Sequence, residues 1–309
     1  MAATASLDLR LSRADLSAVL EPFVERRYDG DDRGWAEVID SRRRRLRARP
    51  GPTDEIPFPE PGDDAVVDGQ ALEWFASKFA IEPGDAPFEW GTDRFFAKGI
   101  ATSRIHLLVL SRLIERLQPA SVLEVGSGSG INLFTLAARF PAVAFTGIDV
   151  NGMSVRRAKA MQRLDRVPPL IEQFSPEPIV DPLAHRRVVL HHGDARALPF
   201  ADRQFELVFT RLALERMQAF RNTVLGELRR VSSTHVAMLE AFREWNAEGL
   251  RRDYMTAQRY LDCAAAELPA LGLEPILVFD DLPYKITHRP VLVVARAVRP
   301  ASPDAAIDR

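Results

Sequence analysis

Short apolar runs alternate with segments of helical periodicity through the middle of this 309-residue chain. The runs at 121–125 and 143–148 have the length and composition of buried strands, and 131–140 between them places its apolar side chains on one helical face. A strand, a helix and a second strand in this order predict a unit of a parallel sheet.

The end of the chain has a different pattern. Residues 273–279 and 291–297 have the composition of two strands, and the connection between them is too short for a crossover helix, so we expect them to pair antiparallel. The sequence therefore predicts an α/β domain over 101–299, in which a mainly parallel sheet has an antiparallel hairpin at one edge.

The N-terminal third of the chain is organised differently. We expect residues 1–64 to form a helical extension that ends in a linker, because 50–64 contain five prolines. Residues 65–100 contain a predicted helix at 71–79 and an aromatic cluster, and we interpret them as a cap segment. Trp90, Phe95, Phe96 and the nearby Arg104 could together form a lid over a bound ligand. Core packing is the alternative interpretation of the three aromatic residues.

The composition is that of an ordinary globular protein, with 46% hydrophobic and 27% charged residues. The formal net charge of −2 gives no overall attraction to nucleic acid or to an anionic membrane, so neither is an expected partner. We interpret the arginines crowded at 42–49 as a solvated helix end and not as a phosphate-binding patch. The single cysteine, Cys263, excludes an internal disulfide and a cysteine-based zinc site.

The sequence also contains no signal for a membrane. No stretch approaches the roughly 20 apolar residues that a membrane span needs, and residues 1–10 lack the apolar core of a signal peptide. We therefore expect a cytoplasmic protein. The oligomeric state is left open.

The first predicted strand ends in a turn with glycines at alternate positions, Gly126, Gly128 and Gly130. Because glycine has no Cβ atom, such a turn lets a ligand approach backbone N–H groups at the positive end of a helix. An acidic residue, Asp149, ends the second strand 19 positions beyond Gly130 and is placed to accept hydrogen bonds from ribose hydroxyls. These features predict a cofactor that contains a nucleoside.

The dinucleotide-binding fingerprint does not fit, because Ile131 occupies the sixth position of the turn, and no Gly-Lys-Ser/Thr of a P-loop follows. The pattern Glu-x-Gly-x-Gly-x-Gly from Glu124 to Gly130 resembles motif I of the class I S-adenosylmethionine (SAM) methyltransferases. Glu206 stands where this family usually has aspartate. Five further segments resemble the family in order and spacing: 190–195, 198–202, 205–209, 225–231 and 236–240.

The resemblance implies a Rossmann-like seven-stranded sheet with an antiparallel edge hairpin, and SAM as the cofactor. It also implies that the glycine turn holds the methionine part of SAM, that Asp149 holds the ribose, and that Val150 and Asp194 meet the adenine. Helix capping by Asp149 and turn capping by Asp194 are the alternative interpretations. The implied cofactor-binding residues are Glu124, Gly126, Ser127, Gly128, Gly130, Asp149, Val150, Asp194, Ala195, Thr210 and Arg211.

Methyl transfer from SAM is an in-line displacement that in principle needs no metal ion and no covalent residue. The catalytic side chains are therefore not readable from a motif, and we expect no metal site. Candidates for acid–base chemistry are His106, His191, His192, Glu215, Tyr254 and His288.

The acceptor class follows from resemblance alone. Residues 209–212 lack the Asn/Asp-Pro-Pro-aromatic motif of the methyltransferases that modify amino groups of adenine or glutamine. The stretch 198–202 resembles the small-molecule methyltransferases of the ubiquinone and menaquinone biosynthesis type. We therefore expect methyl transfer to an oxygen, nitrogen or carbon atom of a small metabolite. Methylation of RNA or protein, and a non-catalytic role as a SAM-binding partner subunit, are the alternatives.

Overall fold

The computed structural model describes residues 7–48, 86–166 and 172–298. The predicted linker 50–64 and the predicted helix 71–79 lie outside the described residues. The strands are β1 (Val24–Arg27), β2 (Ala86–Trp90), β3 (Asp93–Ala97), β4 (Ser121–Val125), β5 (Ala144–Asp149), β6 (Val189–His192), β7 (Phe205–Arg211), β8 (Ser232–Glu240), β9 (Leu273–Phe279), β10 (Tyr284–Lys285) and β11 (Val291–Ala297). The α-helices are α1 (Arg13–Leu20), α2 (Asp32–Arg47), α3 (Ile100–Leu117), α4 (Ile131–Arg139), α5 (Gly152–Gln162), α6 (Arg221–Val231) and α7 (Gly249–Ala257).

Seven strands form a sheet in the order β6-β5-β4-β7-β8-β11-β9. The strands β4 to β8 run parallel, and β11 pairs antiparallel with both β8 and β9. This arrangement confirms the predicted parallel sheet and its antiparallel edge hairpin. The strand order reverses at β4, because β5 and β6 lie on one side of it and β7 and β8 on the other. Ligands of α/β proteins bind at such a reversal, outside the carboxyl ends of the strands.

Helices cover both faces of this sheet, because its central strands are apolar on both sides. The helices α1, α3, α4 and α5 contribute to one apolar cluster, and α6 packs in a second cluster against the opposite face. The two clusters together fix the carboxyl ends of β4, β5, β7 and β8 at one edge of the sheet. We call this the carboxyl edge.

The described N-terminal residues contain the predicted helices and, in addition, a strand that the sequence did not predict. Pro22 lies in a short 3₁₀ turn after α1, and the chain then continues as β1. Three of the four residues of β1 are exposed, so the strand has no alternating apolar pattern. Its conformation depends on antiparallel pairing with β3, which is distant in sequence.

A second, four-stranded antiparallel sheet has the order β1-β3-β2-β10, and we call it the cap sheet. Its strand β10 comes from the connection between β9 and β11, so the edge hairpin of the large sheet also contributes to the cap sheet. The aromatic residues Trp90, Phe95 and Phe96 are buried in it. Of the two interpretations of these aromatics, core packing therefore fits the structure.

Side-chain hydrogen bonds attach the cap sheet to the N-terminal helices. Asp281, just before β10, accepts two hydrogen bonds from the Arg13 guanidinium at 2.6 and 2.7 Å, and one from Trp90 Nε1 at 2.9 Å. Glu89 in β2 accepts a hydrogen bond from Trp35 Nε1 at 2.8 Å. These contacts join α1, α2, the cap sheet and the edge hairpin of the large sheet.

We predict that Trp35→Ala lowers the free energy of unfolding by about 3–5 kcal/mol, because it removes a fully buried aromatic side chain. The lost contacts include the rings of Tyr28 and Phe96, at centroid distances of 5.0 and 5.8 Å. Equilibrium unfolding in denaturant measures the change. The control is Arg45→Ala, at an exposed position of the same helix, for which we expect a change below about 0.5 kcal/mol. Equal effects of the two variants would contradict the packing of α2 on the cap sheet.

Candidate functional site

The turn after β4 lies at the carboxyl edge and is held against β5. The backbone N–H groups of Gly126 and Ser127 donate to the carbonyl oxygen of Ile148 at 2.9 and 3.1 Å. Gly126 has a φ of +81°, and a Cβ placed on it would lie 2.4 Å from the methyl group of Ala213, so a larger residue does not fit. A Cβ on Gly128 would meet no described atom within 4 Å. This part of the turn therefore faces open space.

Asp149, at the end of β5, is bonded to the same turn. Its Oδ2 accepts the N–H of Gly128 at 2.7 Å, and its Oδ1 accepts the N–H of Asn151 at 2.7 Å. The N-cap of α5 is Asn151, whose side chain accepts the N–H of Ser154, so Asp149 does not have the helix-capping role. Each carboxylate oxygen has further acceptor capacity. The half-buried carboxylate of Asp149 can therefore still accept ribose hydroxyls.

A cleft of about 290 Å³ opens beside this turn. In its wall, Val150 is 41% exposed, although it directly follows a buried strand. Asp194 also lines the cleft and has turn-capping contacts, since it accepts the N–H of Arg196 at 2.8 Å and forms an ion pair with the Arg196 guanidinium at 2.5 Å. An apolar wall beside a few polar groups suits a nucleobase. The cleft is lined by Val125, Gly126, Ile148, Asp149, Val150, Gly193, Asp194, Ala195, Arg196, Arg216, Met217 and Phe220.

Glu124, in β4 just before the glycine turn, is fully buried. Its Oε1 accepts a hydrogen bond from Asn132 Nδ2 at 2.6 Å, and its Oε2 has no partner among the described residues. Burial raises the pKa of Glu124 to about 8, against the opposing effects of Asn132 and Arg211. A buried carboxyl oxygen without a donor costs free energy. Glu124 is therefore placed to receive an ammonium or N–H group.

Arg211 ends β7 and reaches across to α3 and α4. Its Nε donates to His106 Nδ1 at 3.1 Å, its Nη2 to the hydroxyl of Ser103 at 3.0 Å, and its Nη1 to Asn132 Oδ1 at 3.5 Å. Burial, together with the charge of Arg211, holds the pKa of His106 well below its usual range, so this imidazole is neutral. The structure therefore joins Glu124, Asn132 and Arg211 in one polar chain at the carboxyl edge.

The turn after β7 is held by Glu240, the last residue of β8. Glu240 Oε1 accepts the backbone N–H groups of Ala213 and Leu214 at 3.0 and 3.2 Å. Leu212, just before them, has a φ of +51°, a left-handed conformation that costs a leucine about 1–3 kcal/mol. The two hydrogen bonds offset this cost and hold Ala213 against Gly126.

Two of the implied cofactor residues do not present side chains to the cleft. Thr210 is fully buried within β7. The side chain of Ser127 is also buried and points towards Gly147, where an added Cβ would lie 2.9 Å from it. The other implied residues lie on the glycine turn, along the cleft or in the polar chain of Glu124 and Arg211.

The sequence did not identify Asn132 or Glu240 as part of the site. Asp149 is predicted as a site residue because it is an acidic residue that closes an apolar strand, and Glu240 closes β8 in the same way. This signal could have located Glu240. Asn132, on the first turn of α4, has no comparable signal, because an asparagine there is common at helix starts.

The remaining acid–base candidates lie in several surroundings. The ring of His191 packs edge-on against a phenylalanine, and His192 Nε2 lies 3.0 Å from the carbonyl oxygen of Val150. His288 stacks on Tyr254 with a centroid distance of 5.7 Å. Burial lowers the pKa of His288 to about 4, so this imidazole is neutral at physiological pH.

Arg104, the arginine of the predicted lid, donates to two backbone carbonyls after residue 172 and does not reach the cleft.

Glu206, where the resembling family has aspartate, has a structural role. Its Oε2 accepts the N–H of Ala120 at 2.8 Å, and its own N–H donates to Ser121 Oγ at 3.1 Å. These bonds join the beginnings of β4 and β7, at the edge opposite the glycine turn. The difference from the family pattern therefore leaves the site unchanged.

The described ranges 7–48, 86–166 and 172–298 hold neither a metal cluster nor a membrane-spanning helix. No three His, Cys, Asp or Glu side chains there are grouped so as to hold a metal ion. No helix in these ranges combines the length and apolar character that crossing a membrane requires. Cys263 is buried, and its burial raises the pKa of the thiol to about 11.

The glycine turn, the acidic strand end and the exposed apolar wall lie together where the parallel sheet reverses. This combination is typical of α/β proteins that bind a nucleoside-containing cofactor. A family model described as "Methyltransferase domain" matches residues 123–235, which span β4 to the first part of β8.

A curated relative is the malonyl-[acyl-carrier protein] O-methyltransferase of Halorhodospira halophila (strain DSM 244 / SL1), which is 32% identical over 139 residues. The match covers 43% of this chain and 40% of the relative. The matched region therefore spans less than half the length of that relative.

Solved structures with the same fold include the [4+2]-cyclase SpnF, which is 19% identical and superposes with a TM-score of 0.51 over 78% of this chain and 97% of that chain. At this identity, the likeness shows the fold alone. The chain is also similar to geranyl diphosphate C-methyltransferase from Streptomyces coelicolor A3(2), solved in complex with Mg²⁺, geranyl-S-thiolodiphosphate and S-adenosyl-L-homocysteine. It is 11% identical, with a TM-score of 0.46 over 63% of this chain and 78% of that chain.

Residues 123–235 therefore match a methyltransferase domain, and the cofactor that this match implies is SAM. The residues present fit this cofactor on three observations. The glycine turn has an open face at Gly128, the wall of the cleft exposes Val150, and Glu124 has an unpartnered buried oxygen.

We predict that Asp149→Ala weakens the binding of SAM and of S-adenosylhomocysteine at least tenfold. The reason is the loss of a charged acceptor for the ribose, which is worth about 1.5–3 kcal/mol. Calorimetric titration measures both affinities, and thermal unfolding checks that the variant is folded. Asp29→Ala, an exposed carboxylate on the N-terminal segment, is the matched control. Unchanged affinity of the Asp149 variant would refute the assignment of the ribose to this residue.

We predict that Glu124→Gln stabilises the ligand-free protein increasingly as the pH rises from 5 to 8. The pKa of Glu124 is raised in the folded state, so folding binds a proton between the unfolded and folded pKa values, and wild-type stability falls over that range. Glutamine cannot ionise but can still accept from Asn132. Chemical unfolding at several pH values measures the difference, and a difference that does not change with pH would contradict the assigned burial.

Proposed function

We propose that this protein transfers a methyl group from SAM to a small-molecule acceptor. The observation that carries the proposal is the hydrogen bond between Gly128 and Asp149, which sets an open glycine turn beside an acidic strand end at the reversal of the sheet. The family match and the curated relative support methyl transfer. That relative is a malonyl-[acyl-carrier protein] O-methyltransferase, and its name supports transfer to an oxygen atom.

The cofactor residues follow from the chemistry of each position. Val150 supplies an apolar surface for the adenine, and Asp194 and Ala195 line the same part of the cleft. Asp149 accepts the ribose hydroxyls. Glu124 receives the ammonium group of the methionine part, because it has a buried carboxyl oxygen without a donor. The backbone of the glycine turn faces the rest of the cofactor.

The polar groups past β7 and β8 form the acceptor side. Bound SAM supplies a methyl group on a positively charged sulfur, which is already a good leaving group. The protein has to aim the acceptor along the methyl–sulfur axis and exclude water. Arg211 is held in one orientation by Ser103, His106 and Asn132, so it is preorganised at this position.

The arginine-rich end of α2 gives no support to an RNA acceptor. Arg43 is bonded to Asp40 on its own helix at 2.8 Å and to Asp253 on α7 at 2.7 Å. At least this arginine therefore serves to attach α2 to α7. This contact favours the interpretation of the arginine cluster as part of the protein surface and not as a phosphate-binding patch.

Transfer of labelled methyl groups tests the proposal. The purified protein is incubated with methyl-labelled SAM and, in separate reactions, with small carboxylic acids and acyl thioesters, phenols and amines, bulk RNA, and bulk protein. We expect label in a small-molecule reaction, at least tenfold reduced by Asp149→Ala at SAM concentrations below Kd. Label confined to RNA or protein would contradict the acceptor class. Binding of SAM without transfer to any class would favour a non-catalytic partner subunit.

A further inference from the structure

Glu215 lies on the turn that contacts the glycine turn directly. Glu215 lies two positions after Ala213, and Ala213 is held against Gly126. It belongs to a 3₁₀ turn, and the next two residues, Arg216 and Met217, line the cleft. The 3₁₀ turn therefore borders the cofactor site, and the carboxyl group of Glu215 lies on the side of this turn where the charges of Glu240 and Arg211 act on it.

The carboxyl group of Glu215 is incompletely satisfied. Its Oε2 is buried and has no hydrogen-bond partner among the described residues. A buried polar atom of this kind indicates a position that another molecule completes. Asp262 and Glu267, further along the chain, are by contrast used in ion pairs with Arg243.

Charged and titratable groups face Glu215 from four elements. Burial raises the pKa of its carboxyl to about 8, and the neighbouring carboxyl of Glu240 in β8 acts in the same direction. Arg216 on its own turn, Tyr260 in the segment after α7, and Arg211 at the end of β7 lower it. In the ligand-free protein at neutral pH, Glu215 is therefore mostly protonated, which avoids an unpaired buried charge.

We propose that Glu215 is the proton acceptor of the reaction, and that the acceptor of the methyl group is an O–H or N–H group. The inference rests on the proposed function and specifies the acceptor chemistry of that same site. As the acceptor atom bonds to the methyl carbon, the methyl–sulfur bond breaks, and its electron pair stays on the sulfur as a thioether. The proton that the O–H or N–H group loses passes to Glu215 Oε2.

The sulfonium charge of SAM would determine when Glu215 is ionised and when it takes up a proton. Glu215 ionises when a positive charge is placed beside it, because an adjacent cation lowers the pKa of a carboxyl group. It regains its proton affinity when that positive charge disappears in the transfer. The carboxylate is thus present before the transfer and is a stronger base after it, as a proton acceptor requires.

Proton release on binding tests the proposal without knowledge of the acceptor. SAM and S-adenosylhomocysteine share the adenosine and the amino-acid part, but only SAM has the sulfonium charge. Each is titrated calorimetrically at pH 7.5 in two buffers of different ionisation enthalpy, which gives the number of protons released. From the wild-type protein we expect SAM to release about half a proton more than S-adenosylhomocysteine, given the folded pKa of about 8.

In Glu215→Gln, we expect this difference to disappear while the affinity for S-adenosylhomocysteine stays within about threefold of wild type. Retained binding shows that the isosteric variant is folded. The control is Glu248→Gln, at an exposed position outside the site, which should keep the difference. An equal proton release for both ligands in the wild type, or a difference that persists in Glu215→Gln, would overturn the inference. If neither ligand binds to the wild type, the proposed function fails, and the inference fails with it.

A second measurement uses any acceptor that the methyl-transfer reactions identify. We expect Glu215→Gln to lower the rate of transfer by about 10²- to 10⁴-fold and to remove the rise in rate between pH 6 and 8. An acceptor methylated at an oxygen or nitrogen with an unchanged pH profile in this variant would contradict the role of Glu215, as would methylation at carbon.

Discussion

Three hydrogen bonds between the glycine turn and the end of β5 organise this molecule. The carbonyl oxygen of Ile148 accepts two of them, from Gly126 and Ser127, and the carboxylate of Asp149 accepts the third, from Gly128. They are possible only because β4 and β5 are parallel neighbours whose carboxyl ends lie at the same edge. The cleft, the position of Asp149 and the contact of the next turn with the glycines all depend on this arrangement.

The same edge concentrates buried acidic groups around one cation. Burial raises the pKa values of Glu124 and Glu215 to about 8 and that of Glu240 to about 7, and Arg211 lies close enough to oppose the shift of the first two. Only part of the acceptor capacity of these carboxyl groups is used by described residues. Such a set is costly in an isolated fold and is suited to a ligand that carries positive charge. The proposed methyl donor, SAM, carries both an ammonium and a sulfonium group and therefore matches this set of carboxyl groups.

Much of the fold could be predicted from sequence, because its strands have apolar runs and its turn has three glycines at fixed spacing. Asp149 is predicted as a site residue for a similar reason, because it closes an apolar run. The cap sheet could not be predicted, since β1 is short, mostly exposed and stabilised by pairing with the distant β3. The role of Glu240 could not be assigned either, because it depends on backbone N–H groups brought to it by the strand order of the sheet. Local pattern therefore predicts the elements, whereas tertiary pairing decides which polar residues meet.

The central claim is that SAM occupies the cleft between the glycine turn and the turn after β7. A crystal structure of the protein with S-adenosylhomocysteine tests it most directly. We expect an adenine ring on Val150, ribose hydroxyls at about 2.6–3.2 Å from the carboxylate of Asp149, and the thioether sulfur on the side of Glu215. A ligand bound elsewhere, or a ribose that makes no contact with Asp149, would contradict the account.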